Sequence, residues 1–430
     1  MKQIFMLLVA VSVSGICVAQ DAGKDLKKAT RNVANYNLDP SSNEDKLMEA
    51  IDLINGVVKD PEFQKSSKAW LTYGKAYSEL INKDVQALVL NPEHEIQYAD
   101  ACNKVWTGFK NAYNYAEKNY EQKDALSGLK DILNNISYIS NTILRAGKYE
   151  QAYHAYMAVI EGDAFLVKEG EESSYPSQKD LQDQVYLAAI AALSAEMWDE
   201  ADALFNRLYK EGYDDPAVFE GLFKVRNAKG DAAGASTILK EGRKKYPDDK
   251  GLLFAMINES LQKGDSETAL ANLKIAMAEE PNNISVPTTL GNVYDQLYAE
   301  ALEAGNKELA HQHYENAKTY FSKALEIDDN HFDAVYMMGA LEYNRAAELA
   351  NEVNALADDY SKEGTAKYEA KKAEMLKQFE LALPYFVKAE KLNPKDMNTL
   401  IALREIYARK DQFEMSNQYK EKIEQLSGGN

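Results

Sequence analysis

Two short helical patterns around one turn form the clearest unit of this chain, between Pro247 and Pro281. Apolar residues follow helical spacing on both sides of the turn at Gly264-Asp265, and they are Leu253, Met256, Ile257, Leu270, Leu273 and Met277. The two prolines close successive units and lie 34 residues apart. This period predicts an array of stacked helix pairs.

The bulk composition agrees with such an array. The chain has 430 residues, of which 45% are hydrophobic and 27% charged, as in folded proteins. The 10 prolines and 22 glycines lie mostly between helical patterns, and alternation of the strand type is nearly absent. The sequence therefore predicts an all-α fold.

Further units carry small and aromatic residues at matching places. A first-helix pattern, W-x-x-L-G-x-x-Y with tyrosine in place of leucine, occurs at Trp70, Tyr73, Gly74 and Tyr77. A second-helix pattern, Ala-x-x-x-Phe-x-x-Ala, occurs at Ala317, Phe321 and Ala324, and again at Ala382, Phe386 and Ala389. In these residues the chain resembles tetratricopeptide-repeat (TPR) proteins of the exported bacterial type. The resemblance implies a TPR-like α-solenoid, a right-handed superhelix of antiparallel helix pairs. An irregular helical bundle is the alternative.

The repeat divides the chain into four segments. Residues 1–19 are predicted to be a signal peptide and residues 20–66 a capping helix pair. Residues 67–420 are predicted to hold about eight further helix pairs, and residues 421–430 a flexible tail.

Some segments depart from the repeat length. Three pairs are longer than the period allows, near residues 70–119, 287–327 and 332–392. We expect them to form elongated helical hairpins that protrude from the array, because a structureless loop of that length would be unusual. An acidic segment at residues 168–179 is expected to be a mobile loop.

The N-terminus has the features of an export signal. Lys2 precedes an apolar stretch at residues 4–13, and Cys17-Val18-Ala19 offers a small-residue cleavage site. Ile16 stands where a lipoprotein signal needs a small residue, so we expect simple cleavage. The mature protein would then be exported to the periplasm or the outer cell envelope, soluble and without an integral membrane span.

Charge and cysteine content restrict the partners. The formal net charge of −19 argues against general binding to nucleic acid or to anionic lipid. Cleavage after Ala19 leaves Cys102 as the one cysteine, which lies in an apolar helical pattern and is predicted to be a buried structural thiol.

Catalytic patterns are missing from the sequence. It contains no nucleotide-binding loop, nucleophile elbow or metal-ligand spacing. His311 and His313 are two residues apart, so on a helix their side chains point apart. We therefore predict no enzymatic activity, no catalytic residue, no cofactor and no metal site.

The resemblance also implies a binding groove lined by the first helices of the pairs. Amide side chains there can pair with the backbone of an extended peptide, and aromatic side chains can form pockets. The predicted groove residues are Asn134, Asn141, Asn227, Asn258, Gln262, Asn292, Gln296, Tyr336, Tyr343 and Asn344. Simple solvation of the helix faces by these amides is the alternative.

Together these features predict a non-enzymatic scaffold or assembly factor that binds protein or extended peptide segments in the cell envelope. Self-association is left open. The alternative is a carbohydrate-binding surface protein similar to the SusD-like family, in which TPR helices form a frame. In that case Trp106, Trp198 and the tyrosines would stack on sugars.

Overall fold

The structure is a computed structural model, and it describes residues 22–428. These residues fall into two compact units, one up to Pro247 and one from Asp248 onward. Within the described residues the regular structure consists of eighteen α-helices and one short 3-10 helix, with no strand. The predicted all-α, TPR-like class is confirmed. The predicted signal peptide, residues 1–19, lies outside the described residues.

The first unit contains ten α-helices, with a 3-10 helix at Pro40–Ser42. They are α1 (Ala22–Leu38), α2 (Glu44–Val57), α3 (Ser67–Leu90), α4 (Ala101–Asn114), α5 (Asn119–Arg145), α6 (Tyr149–Lys168), α7 (Gln178–Ser194), α8 (Trp198–Lys210), α9 (Ala217–Ala228) and α10 (Ala232–Lys245). Consecutive helices pack as pairs, beginning with α1 and α2.

The second unit contains eight α-helices. They are α11 (Lys250–Lys263), α12 (Ser266–Glu279), α13 (Ser285–Glu303), α14 (Lys307–Ile327), α15 (Phe332–Ala355), α16 (Lys362–Leu392), α17 (Met397–Arg409) and α18 (Phe413–Ser427). They form four pairs in chain order. The flexible tail predicted for residues 421–430 is helical as far as Ser427, because α18 continues through it.

The turn inside most pairs has one geometry. After α11, Gly264 adopts a left-handed conformation (φ 69°), and the next N–H, of Asp265, donates to the carbonyl of Ser260 at 2.9 Å. The Asp265 side chain then accepts from the N–H of Thr268 and caps α12. Glycine suits this place because it has no Cβ, yet Glu196 and Asp411 occupy it in two other pairs (φ 58° each).

Close contact between a glycine and a phenyl ring fixes how neighbouring helices pack. A Cβ added to Gly291 on α13 would lie 2.4 Å from the ring of Phe321 on α14. Gly221 on α9 has the same relation to Phe205 on α8. Both rings are fully buried. The small residue therefore makes room for the large one, as the repeat pattern predicts.

Two helix pairs of the second unit are longer than the basic repeat. Helices α13 and α14 have 19 and 21 residues, and α15 and α16 have 24 and 31, against 14 each in α11 and α12. The added turns bury apolar residues of their own, including Tyr298, Ala301, Ala310 and Tyr314. In the first unit, α5 has 27 residues, a length that the repeat pattern did not indicate.

Buried carboxylates hold the irregular segments of the first unit. Asp84 on α3, 1% exposed, accepts from the N–H groups of Gln97 and Tyr98 and so fixes the α3–α4 connection. Asp163 on α6 accepts from the hydroxyl of Ser173 at 2.8 Å and the N–H of Ser174 at 2.6 Å. The acidic segment that was expected to be mobile is thus held at Asp163.

We predict that Gly291→Ala lowers the free energy of unfolding by up to about 2 kcal/mol. Alanine favours a helix over glycine by about 1 kcal/mol, but the methyl group would overlap the Phe321 ring, and overpacking costs about 1–3 kcal/mol. Gly56→Ala is the matched control, because no atom lies within 4 Å of its added Cβ. Urea denaturation should show the control unchanged or stabilised; equal effects of the two substitutions would contradict the packing argument.

Candidate functional site

The predicted groove residues all lie on first helices of pairs, but in both units. Asn134 and Asn141 lie on α5 and Asn227 on α9, in the first unit. The other seven lie on α11, α13 and α15 in the second unit, and they are Asn258, Gln262, Asn292, Gln296, Tyr336, Tyr343 and Asn344. Asn141, Tyr336 and Tyr343 are half-buried, and the rest are exposed. Membership of one continuous groove stays a prediction.

The structure brings two of these residues together, Asn292 and Tyr336. They line a cleft of about 330 Å³ between α13 and α15. We call it the α13–α15 cleft, and its full lining is Ser285, Thr288, Thr289, Asn292, His331, Asp333, Tyr336 and Met337. Its size is at the lower end of the range for small-ligand clefts.

The α13 wall of the cleft is a stripe of hydroxyl and amide side chains at helical spacing. Thr288 and Thr289 each donate to the backbone carbonyl four residues earlier, at 2.8 Å. Their oxygens therefore remain available as acceptors. Among the described residues, none hydrogen-bonds to the Asn292 side chain, so its amide can offer both a donor and an acceptor.

The α15 wall is aromatic and firmly packed. The Tyr336 ring stacks on Phe332 with centroids 6.0 Å apart and meets the edge of Phe386 at 5.8 Å. Burial, followed by the nearby charge of Asp396, raises the pKa of Tyr336, which keeps the phenol neutral. The His331 ring caps α15 by accepting from the N–H of Ala334 at 3.3 Å. The cleft thus combines hydrogen-bonding groups with one rigid aromatic face.

Three predicted groove residues have their polar groups occupied within the fold. Asn141 accepts from the hydroxyl of Tyr156 at 2.8 Å, and Gln296 donates to Glu300 at 2.8 Å. The hydroxyl of Tyr343 donates to Glu405 on α17. These groups connect helices or neighbouring turns, and a ligand would have to displace those bonds.

An unpartnered carboxylate lies on the same face of α13 as the cleft. Asp295 is seven residues after Thr288, which is two helical turns. One of its oxygens is buried and has no hydrogen-bond partner within the described chain. Burial raises the pKa of Asp295 to about 6. The predicted groove residues do not include Asp295, although its spacing from Thr288 and Asn292 indicates the same stripe of α13.

A second buried carboxylate of the unit is fully satisfied. Glu342 on α15 is 2% exposed. It accepts from the Tyr314 hydroxyl at 2.6 Å and from Gln378, and it pairs with Lys318 at 2.8 Å. These contacts join α14, α15 and α16. Glu342 is thus a structural residue of the elongated hairpins.

Tryptophan and cysteine positions bear on the other predictions. Trp106 is 6% exposed, meets the ring of Phe165 edge-on and donates from its indole N–H to Glu161 at 2.9 Å. These contacts remove most of the ring surface that a sugar would stack on.

Cys102 is buried, as predicted, and burial raises the pKa of its thiol.

Residues 22–428 contain neither a metal-binding cluster nor a helix suited to a membrane. No group of three or more His, Cys, Asp and Glu side chains there could hold a metal ion. Nor does any helix of that range combine the length and the apolar character needed to span a bilayer.

Comparisons with known proteins agree with this architecture. A family model for the tetratricopeptide repeat matches residues 312–331, which include the Phe321 pattern of α14. A comparison with curated proteins gave no match. The nine helix pairs of the described chain and this repeat match agree with a TPR-like fold.

Similar solved structures are distant. The C-terminal part of a TPR repeat-containing protein from Cytophaga hutchinsonii is 15% identical, with a TM-score of 0.48, over 69% of this chain and 96% of that one. A TPR repeats protein from Bacteroides fragilis is 18% identical, with a TM-score of 0.25, over 67% and 97%. The human IFIT1 dimer with PPP-AAAA is 12% identical, with a TM-score of 0.29, over 94% of each. Such likenesses assign no ligand to this chain.

We predict that Asp295 makes the second unit less stable as the pH rises. Its folded-state pKa of about 6 lies above the ordinary value of 3.8, so the folded chain holds this proton more tightly than the unfolded chain. The stabilisation of the folded state by the protonated Asp295 carboxyl is fully present below about pH 4 and is lost as the pH rises through about 6. Asp295→Asn should remove that fall and raise the unfolding free energy at neutral pH by about 3 kcal/mol.

Urea denaturation across that pH range, followed on the transition of the second unit, tests this prediction. Asp358→Asn is the control, because Asp358 is an exposed carboxylate in the same unit. The control should keep the pH dependence of the parent. A variant at Asp295 with the same slope as the parent would show that its carboxyl ionises normally.

Proposed function

We propose that this TPR protein is a non-enzymatic scaffold or assembly factor that holds extended segments of other proteins in the cell envelope. The supporting observation is the α13–α15 cleft, whose lining includes the free amide of Asn292 and the packed ring of Tyr336. An extended peptide needs donors and acceptors for its backbone and a pocket for a side chain. The cleft offers both kinds of group.

The chemistry of the cleft favours a segment of low charge. Its lining holds one carboxylate, Asp333, besides hydroxyl, amide, imidazole, thioether and phenol groups. Hydroxyl and amide groups pair with a peptide backbone without requiring a charged partner. We therefore propose that the cleft binds backbone groups together with one apolar or aromatic side chain, which would pack on Tyr336.

The proposal includes export of the protein. It rests on the basic start at Lys2, the apolar stretch at residues 4–13 and the cleavage site after Ala19. The mature chain would then act in the periplasm or at the outer cell envelope. A carbohydrate ligand, as in SusD-like proteins, is the second candidate from sequence, but the burial of Trp106 does not favour it.

We predict that a photo-crosslinking residue at position 292, in the full-length chain in cells, forms adducts with a protein partner. The same residue at position 312 is the matched control, because Gln312 is also an exposed amide of the second unit but lies on a second helix, α14. Adducts should form at 292 and be reduced severalfold by Tyr336→Ala, which removes the aromatic wall.

Two outcomes would contradict the groove proposal. Equal adducts at positions 292 and 312 would indicate nonspecific contact rather than a cleft. No protein adduct, together with strong binding of one oligosaccharide class on a glycan array, would favour the carbohydrate candidate. The Tyr336→Ala variant needs a circular dichroism melt beside it, so that loss of binding is not confused with unfolding.

For export, we predict that the mature protein begins at Gln20 and is recovered from the envelope fraction. Intact-mass measurement of the purified protein checks the cleavage site. Replacing the apolar residues 6–9 by polar ones should keep the protein in the cytoplasm with its N-terminus uncleaved. An uncleaved parent protein in the cytoplasm would refute the export proposal while leaving the cleft unaffected.

A further inference from the structure

The first unit contains a cavity on a different kind of surface from the predicted groove. The cavity measures about 360 Å³ and lies between α4, α6 and the start of α8. These are second helices of successive pairs, whereas the predicted groove residues all lie on first helices. We call it the α4–α6 cavity, and its charged and aromatic lining consists of Trp106, Lys110, Tyr153, His154, Glu161 and Glu200.

The aromatic wall of the α4–α6 cavity is rigid. The Trp106 indole packs against Phe165 with centroids 5.5 Å apart, and its N–H donates to Glu161 at 2.9 Å. The Tyr153 and His154 rings meet at 5.1 Å. The rings and the Glu161 carboxylate are therefore held in place before any ligand arrives, which lowers the entropy cost of binding.

The two carboxylates of the cavity have no ion-pair partner. Neither Glu161 nor Glu200 forms a salt bridge with any residue that the structure describes. Both act on one hydroxyl, because burial first, then Glu200 and then Glu161 raise the pKa of Tyr153. Two uncompensated negative charges thus converge beside a neutral phenol.

One cation already lies at the cavity, and it shows where a positive charge is favourable. The ammonium nitrogen of Lys110 is 5.0 Å from the centroid of the Trp106 ring, within cation–π distance. Lys110 is the one lysine or arginine of the lining. It pairs with neither carboxylate, so the lining holds two carboxylates against one ammonium group.

We propose that the α4–α6 cavity binds an arginine side chain of a partner protein, with the guanidinium between Glu161 and Glu200. A guanidinium is planar and carries five donors, so it can stack on the half-buried Tyr153 ring while it pairs with carboxylates. The tyrosine hydroxyl can accept a further N–H. The cavity is separate from the α13–α15 cleft, and the two proposals can fail independently.

Other ligand classes fit the lining less well. An anionic group would be repelled by Glu161 and Glu200, which have only Lys110 to offset them. A wholly apolar side chain would displace water from both carboxylates without replacing their hydrogen bonds, and such unpaired charges are costly. A cation that also stacks on the half-buried Tyr153 ring matches both the carboxylates and the aromatic part of the lining.

The test uses the full mature chain and two pentapeptides, acetyl-Gly-Gly-Arg-Gly-Gly-amide and the same peptide with citrulline. Citrulline has the shape of arginine without the charge. The indole N–H signal of Trp106 in a nitrogen-15 correlation spectrum reports binding, since that N–H donates to Glu161. Trp106→Phe assigns the signal. We expect a saturable shift with the arginine peptide and none with the citrulline peptide.

Variants identify the groups that bind. Glu200→Gln leaves the Trp106 hydrogen bond intact and should lower the affinity for the arginine peptide by about fivefold or more. Lys110→Met should raise the affinity for the arginine peptide, because the Lys110 ammonium no longer competes with the guanidinium for the cavity. Glu303→Gln is the control; it makes the same charge change at an exposed residue of the other unit and should leave the affinity unchanged.

Several results would overturn the proposal. Equal shifts from the citrulline and arginine peptides would show that charge is not recognised. An equal loss of affinity for the arginine peptide in Glu200→Gln and Glu303→Gln would show that only the net charge of the protein matters. A lysine peptide that binds more tightly than the arginine peptide would assign the cavity to ammonium groups instead. Absence of any shift at the solubility limit of the peptide would remove the site altogether.

Discussion

The fold depends on close contact between helices that follow one another in the chain. Gly291 and Gly221 each receive a phenyl ring where any side chain would collide, and this sets how near consecutive helices lie, both within a pair and between pairs. Because each helix is covered mainly by its neighbours in sequence, a pair can gain turns without disturbing the others. The α13–α14 pair does so, since its added turns bring Tyr298 and Tyr314 to face each other and extend the same seam.

Buried carboxylates perform the tasks that apolar packing cannot. Asp84 and Asp163 accept N–H and hydroxyl groups from connections that leave the helical pattern, and Glu342 joins three helices. Each satisfies its oxygens within the protein, which offsets the cost of burial. Asp295 differs, because one buried oxygen has no partner in the described chain. The face of α13 that carries the cleft therefore contains a buried oxygen without a hydrogen bond, unlike the sites of Asp84, Asp163 and Glu342.

The sequence predicted the helix pairs well, because the period of apolar residues determines which face of a helix is buried. It also placed Asn292 and Tyr336 on first helices, and these two line one cleft. It did not reveal that Asn141 and Tyr343 are bonded to Tyr156 and Glu405. Periodicity fixes a face but not the residue opposite it on the next helix. Nor could the sequence predict that Asp84 fixes the α3–α4 connection, because its partners include backbone N–H groups, which every residue except proline has.

The two candidate sites differ in what they can distinguish. The net charge of −19 attracts basic partners in general, but salt screens that attraction beyond about 8 Å at physiological ionic strength. Recognition of one side chain must therefore come from groups in contact with it. In the α4–α6 cavity those groups are Glu161 and Glu200, and in the α13–α15 cleft they are Asn292 and the threonine hydroxyls. A segment with an arginine would thus bind at the α4–α6 cavity and a neutral segment at the α13–α15 cleft, because carboxylates pair with a guanidinium whereas amide and hydroxyl groups pair with a peptide backbone.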